Sequence, residues 1–404
     1  MIYLITRRHQ SMTCRPGLVG RGFTLIELLV SMTFLVILML VVSQVVGIVQ
    51  RTWVRSNSRV SQFREARTAF DVLTRTLSQA TLNTYWDNEF DPLSTDAAGQ
   101  EVKRARNYIR QSELQFISGP TAQVLDGAPG GAGNYPGHAV FFQAPLGITR
   151  LVAATGSQTN TENMVNLLCG RGYFVEWGDD LSFRPPFLSG LNTVPPRSRL
   201  RLMEYSPTAE MNRIYDSSLR PLVDTLTGTN NGKRWFNEGT HAALTSVVQA
   251  SETVATRAFT RPVAENILAL VISPQVETTG NASAPPYSIA PQYLYDSTLT
   301  TNPGATASSS PQGTRHLLPP ILKVTMIALD ERSGEFLSRD ENESMRNEVL
   351  STTAGLFQSA ASFATDLDGT EEEPGTLEAL LLEKKLTYRV FTTTIALKQA
   401  RWSF

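Results

Sequence analysis

From Leu28 to Gln50 the chain runs 23 residues without a formal charge. At 1.5 Å per residue that is about 35 Å of helix, enough to cross a bilayer. Beyond it the pattern changes. Phe63, Ala66, Phe70, Leu73, Leu77 and Ala80 recur at three- and four-residue steps, with Arg64, Glu65, Arg67, Asp71 and Arg75 between them. Such spacing puts one apolar stripe on a helix. No proline falls between Phe23 and Pro92, and Gly47 is the sole glycine in that interval up to Leu82. One long helix from about Phe23 to Leu82 is therefore expected, apolar all round in residues 23–50 and amphipathic in residues 51–83.

Past Asn83 the period shortens. Brief apolar runs alternate with Gly, Pro, Asn and Ser, which reads as strands and loops. Expected strands are Leu114–Ile117, Ala139–Gln143, Tyr173–Trp177, Arg199–Tyr205, Ile267–Ile272, Ile321–Leu329 and Tyr388–Lys398. Alternation is imperfect in Arg199–Tyr205, and Ile321–Leu329 is apolar enough for burial on both faces. A late helix over Thr376–Lys385, after Pro374-Gly375, turns Leu377, Leu380 and Leu381 inward. Asp126–Gly137, Ser189–Pro196 and above all Gln275–Gly313 read as loops. The last is rich in Ser, Thr, Ala and Pro and is expected to be mobile. The fold class that follows is α+β, a long N-terminal helix packed on an antiparallel sheet, with residues 84–404 forming a β-rich head. No internal repeat is visible.

With 404 residues the chain can bury a core without disulfides or metals. Its two cysteines are Cys14 and Cys169, and the formal charge is −1. No clustered Lys and Arg offers a footprint for nucleic acid. Arg7, Arg8, Arg15 and Arg21 all precede the apolar run, and the next charge after it is Arg51. That asymmetry predicts a cytoplasmic N-terminus and an extracytoplasmic head.

An ordinary secretory signal has a shorter apolar region with a small-residue cleavage site beyond it. Here Gly20-Arg21-Gly22 comes before the run, which begins Phe23-Thr24-Leu25-Ile26-Glu27-Leu28. A carboxylate at the mouth of an apolar span is expensive to hold there and usually marks function. Gly22-Phe23-Thr24-Leu25-Ile26-Glu27 resembles the prepilin cleavage and methylation motif of type IV pilins and type II secretion pseudopilins. The resemblance implies that a membrane prepilin peptidase removes residues 1–22, the leader, and methylates the amine of Phe23. Glu27 of one subunit would then pair with that amine in a neighbour inside a filament core. Further implied partners are other pilins or pseudopilins, an inner-membrane assembly platform, a cytoplasmic ATPase and membrane lipid. A pilin-like head of this size implies a minor subunit, since many bulky copies would crowd a thin fibre.

Within the head, Tyr388-Arg389-Val390-Phe391-Thr392-Thr393-Thr394 with Ala400-Arg401-Trp402-Ser403 resembles the protein C family of the Verru_Chthon cassette. Gly172-Tyr173-Phe174-Val175-Glu176 and Arg201-Leu202-Met203-Glu204 extend that similarity. Arg261–Leu268 and Leu317–Val324 resemble paired strands of larger minor pseudopilins.

Chemistry-bearing residues are sparse. His138, His241 and His316 are scattered without metal-ligand spacing, and no His-Glu-x-x-His, Gly-x-Ser-x-Gly or phosphate-binding glycine loop occurs. No cofactor and no catalytic activity are expected. Cys169 reads as a small buried hydrophobe. Asp366, Asp368 and Glu371, in an acidic run ending at Glu373, are the candidate oxygen ligands for a hard cation such as Ca²⁺. The competing reading is a solvated acidic turn, and the spacing falls short of an EF-hand. For the whole chain the competing reading is an extracytoplasmic enzyme or ligand-binding domain that uses the helix only as an anchor.

Overall fold

The uninterrupted apolar run becomes helix: α1 extends over Leu25–Leu77, 53 residues. The computed structural model describes residues 24–90, 94–95, 98–102, 105–125, 132–147, 166–184, 194–209, 212, 214, 235–236, 259–277, 284–307, 310–369 and 375–400. The chain divides into two compact units, Met1–Ser58 and Arg59–Phe404. Phe23, the expected helix start, lies outside the described residues, as does the leader. At the other end the helix stops at Leu77 rather than Leu82. Competition explains the early stop, because the Thr81 N–H is taken by the Gln143 carbonyl at 2.8 Å and Asn83 adopts a left-handed φ of 48°.

In the second unit the antiparallel order expected from the sequence is present, in two main sheets. The larger contains β5 (Ile117–Pro120), β6 (His138–Gly147), β7 (Leu167–Gly178), β8 (Arg199–Tyr205), β9 (Thr260–Glu265) and β11 (Tyr295–Asp296). Its spatial order is β11-β5-β6-β7-β8-β9. A three-stranded sheet, ordered β10-β12-β13, is built from β10 (Ile267–Gln275), β12 (Ile321–Leu329) and β13 (Tyr388–Ala396). Short pairs join β1 (Tyr85–Phe90) to β4 (Ala105–Gln111) and β2 (Ser94–Thr95) to β3 (Glu101–Val102).

One residue carries the chain from β9 into β10. Asn266 has φ 58°, a conformation Asn tolerates better than most residues, and its N–H donates to the Leu200 carbonyl at 2.6 Å. Its amide Nδ2 also donates to Glu331 Oε2 at 2.9 Å. The two sheets are thereby stitched at this corner.

The expected strands Arg199–Tyr205 and Ile321–Leu329 coincide with β8 and β12, and β13 ends at Ala396 rather than Lys398. Three others are longer than their apolar cores: β6, β7 and β10 continue into polar or glycine-containing ends because a neighbouring strand is there to pair with them. The expected strand at Leu114–Ile117 is displaced to Ile117–Pro120. Register with β6 decides this, since Ile117 faces Phe141 and Pro120 faces His138. The imperfect alternation in β8 also has a cause. Arg199 and Arg201 are both buried; Arg201 donates to the carbonyls of Gly178, Asp179 and Arg197, and Arg199 to Glu331.

Aromatic side chains fill the core. Phe141 stacks on Phe236 with centroids 3.8 Å apart and meets Phe174, Tyr205 and Trp235 edge-on or tilted. Gly172, opposite Phe141 in the β6–β7 register, makes room for that ring: a Cβ there would lie 2.2 Å from Phe141 Cδ1. The helical stripe is answered as expected. Ala66, Phe70, Leu73, Leu77 and Ala80 are buried, and the Phe70 ring meets Phe391 of β13 at 6.1 Å.

Two regions depart from the expectation. Gln275–Gly313 is not a loop without a core of its own. Ala290, Tyr293 and Tyr295 are fully buried there, and β11 pairs with β5. Asp296 organises this turn-rich segment by accepting from Gln115 and from the N–H and hydroxyl of Thr298. With Ile289, the buried Ala290, Tyr293 and Tyr295 make four aromatic or apolar anchors, which outweigh a polar average composition. Between β12 and β13, α3 (Glu331–Ser338), α4 (Glu343–Gly355) and α5 (Phe363–Leu367) follow, the first capped by Asp330 accepting from the Ser333 N–H at 2.8 Å. A one-turn helix, α2 (Thr121–Val124), follows β5. The late helix forms as α6 (Thr376–Glu383), with Leu377 and Leu381 buried and Leu380 half-buried.

Candidate functional site

At its N-terminal end α1 places Glu27 in the first turn. Its Oε2 accepts from the backbone N–H of Thr24 at 3.0 Å and from the Thr24 hydroxyl at 3.0 Å. In return the Glu27 N–H approaches Thr24 Oγ1 at 3.4 Å. Thr24-Leu25-Ile26-Glu27 is thus a reciprocal capping box, which satisfies donors the first turn of a helix otherwise leaves open. Its charge in an apolar run and the motif around it singled out Glu27 in the sequence; the Thr-x-x-Glu spacing was a further signal. All of these groups are exposed within the chain, and Oε1 has no hydrogen-bond partner among the described residues. The expected cleavage pair, Gly22 and Phe23, lies outside the described residues.

Downstream of the box, Leu25–Trp53 forms 29 residues of helix with mean hydropathy 2.8, long and apolar enough for a membrane anchor or a signal sequence. At 1.5 Å per residue it measures about 43 Å, against a hydrocarbon core of about 30 Å. Its hydroxyls return to its own backbone: Ser31 donates to the Leu28 carbonyl at 2.9 Å, Thr33 to Val30 at 2.8 Å and Thr52 to Ile48 at 2.9 Å. Such internal pairing lets a polar side chain sit in an apolar medium. The apolar side chains themselves are exposed, from Leu25 at 82% to Val46 at 46%.

In the head the sequence-marked residues are structural. His138 is fully buried, with the Ile272 N–H donating to Nδ1 at 3.0 Å and Nε2–H donating to the Phe357 carbonyl at 2.9 Å. The Ile272 carbonyl also lies 3.2 Å from Nδ1, and burial holds the ring's pKa down at about 4 against the pull of the Phe357 and Ile272 carbonyls. His316 is pushed down to about 4 by burial first, then by Arg315 and Arg110. His241 lies outside the described residues. Cys169 is buried with its thiol directed at the Ala144 carbonyl 3.6 Å away, and burial raises its pKa, which suits an inert thiol.

The acidic run does not assemble a cation cage among the described residues. Asp366 Oδ2 accepts from the Phe357 N–H at 3.1 Å and the Ser362 hydroxyl at 3.0 Å, bracing the turn before α5. Asp368 is raised, by burial foremost and by Glu378. Glu371 lies outside the described residues. No three His, Cys, Asp or Glu side chains among the described residues stand close enough to share an ion.

Compared with models of protein families, with curated proteins and with solved structures, the chain matches none.

Proposed function

We propose that the chain is a structural subunit, of the minor kind, in a type IV pilus-like or type II secretion pseudopilus-like filament. The observation that carries this reading is the first half of α1: 29 apolar-rich residues with exposed side chains and one carboxylate, held in the first turn. Among the described residues nothing covers these side chains, and nothing pairs with the free oxygen of the carboxylate. Lipid before assembly and the helices of neighbouring pilins after it cover the apolar surface, and a neighbour's amine pairs with the carboxylate.

In this reading a prepilin peptidase cuts after Gly22 and methylates Phe23, and Glu27 then serves two purposes. Oε2 stays on Thr24 and holds the carboxylate in place, while Oε1 takes the Phe23 amine of a neighbouring subunit. Paired with that amine, the carboxylate tolerates an apolar filament core, whereas alone it would not. The head, a pilin-like α+β domain laid on the second half of α1, remains outside the inner membrane. The assembly platform and its ATPase supply the work of extraction from lipid.

Two measurements on the protein purified from its own cells test this. Mass spectrometry should find residues 1–22 gone and one methyl group on the amine of Phe23. An intact, unmodified N-terminus would transfer support to an anchored ligand-binding domain.

A further inference from the structure

The second unit contains a cavity of about 260 Å³ on one face of the three-stranded sheet. Alternation on β10 directs Val271, Ser273 and Gln275 to that face, and the antiparallel register sets Thr325 opposite Val271 and Lys323 opposite Ser273. Tyr287 and Tyr293 form a second wall. Phe363 closes it with Ala360, Ala361 and Ala364, whose small side chains leave the space open. Drug-sized pockets run from roughly 300 Å³ upward, so this one suits a single small ring.

The polar groups are of mixed donor and acceptor type and mostly uncharged. Ser273 Oγ accepts only a long bond from Gln275 Nε2, at 3.5 Å. The Tyr293 hydroxyl is buried without a partner among the described residues, and a buried O–H left unpaired is destabilising unless something arrives to accept it. Burial, then Asp366 and Tyr287, push that phenol's pKa far up, so it stays a donor. Lys323 holds its ammonium 4.6 Å above the Phe363 ring. Asp368 lies within electrostatic reach of Lys323 and Asp366 of Tyr293, so acid borders the one cation. Neither a carboxylate nor a cation is the natural occupant.

We propose that this cavity is a subsite for one uncharged sugar ring. Its apolar C–H faces would lie against Phe363 and Tyr287. Its oxygens would accept from Lys323, and its hydroxyls would pair with Ser273 and Gln275. Aromatic walls with neutral hydrogen-bonding side chains suit a ligand that is greasy on its faces and polar at its rim. The proposal is independent of the filament reading, because nothing in the cavity involves α1.

Saturation-transfer NMR on the full chain in phosphocholine micelles, which carry no sugar, tests it. The probes are the methyl glycosides of glucose, galactose and N-acetylglucosamine, with sodium glutamate as the charged comparison. At least one glycoside should receive saturation. That signal should fall by roughly tenfold in Phe363→Ala and in Gln275→Ala, the second chosen because its half-buried side chain is dispensable for folding. Silence from all three glycosides, a signal unchanged in both variants, or transfer to glutamate alone would overturn the proposal. Glu27→Gln should leave the glycoside signal as in the parent chain.

Discussion

Between Leu25 and Val49 the large apolar side chains of α1 are exposed on every side, whereas from Ala66 to Leu77 a single row is buried and the rest of the surface is charged or polar save Val72. Both stretches belong to one helix. The second is answered inside the chain: Leu73 and Leu77 are fully buried, and Phe70 meets Phe391. A stripe can be satisfied by one domain because a domain presents one face. Apolar surface around the full circumference needs a surrounding medium instead, and only lipid or several like helices supply one. The two halves therefore answer different questions, the second about stability of the head and the first about the medium around it, which is lipid for a membrane anchor and neighbouring subunits in the proposed filament.

Removing the charge of Glu27 should separate those questions most sharply. Glu27→Gln retains a side chain that can close the capping box, since Gln serves at that position as Glu does. Incorporation into the sheared filament fraction, read by immunoblot, is expected to fall below detection while the thermal midpoint of the head is unchanged. Normal incorporation of this variant would leave the capping box as the whole role of Glu27.

The converse change attacks the second half. Phe70→Ala should destabilise the head by about 3–5 kcal/mol in denaturant unfolding, the usual loss for a buried phenylalanine. Cleavage of the leader should be unaffected, because the capping box and the apolar segment are untouched. A small loss, under about 1 kcal/mol, would mean that the stripe is not part of the head's cooperative core.

Acid should also act on the head and spare the apolar half. His138 and His316 are held near 4 by burial, below the ordinary value of 6.5. Above 6.5 both are neutral in either state and the head has its full stability. As pH falls from 6.5 toward 4 the unfolded chain takes up protons that the native rings refuse, so stability drops by up to about 1.4 kcal/mol per pH unit for each ring. Below 4 the two states bind alike and this loss levels off. Unfolding midpoints measured at pH 7.5, 6 and 5 should decline in that order, and a flat profile would show that neither ring is sealed from water.

Legibility in the sequence followed the same division. An unbroken uncharged run located the first half of α1, periodicity located its buried stripe, and apolar content located β12, whereas β8 was found despite its poor alternation, which two buried arginines explain. It failed where partners set the boundary. Ile117–Pro120 is a strand by its register with β6, and α1 ends at Leu77 because Gln143 captures Thr81. Composition misled over Gln275–Gly313, where a few buried tyrosines order a polar segment. Helices α3 to α5 carry too few apolar residues per turn to announce themselves, although Asp330 is a capping residue visible before α3. Glu27 was found by its isolation, but its partner Thr24 was not. The cavity was beyond reach, since its walls come from β10, β12 and two segments far apart in the chain.

The smallest effect expected is the one that tests how Glu27 is held. Thr24→Val keeps the shape of the side chain and the charge of Glu27 but removes the hydroxyl that donates to Oε2 and accepts from the Glu27 N–H. Loss of an N-cap hydroxyl loosens the first turn without abolishing the helix, so incorporation should decline only by roughly two- to fivefold. The backbone N–H of Thr24 still reaches Oε2, which limits the damage. Serine in the same place retains the hydroxyl and should restore parental incorporation. If Thr24→Val were as severe as Glu27→Gln, positioning of the carboxylate would matter as much as its charge; if it had no effect, Oε1 would find its amine without any help from the cap.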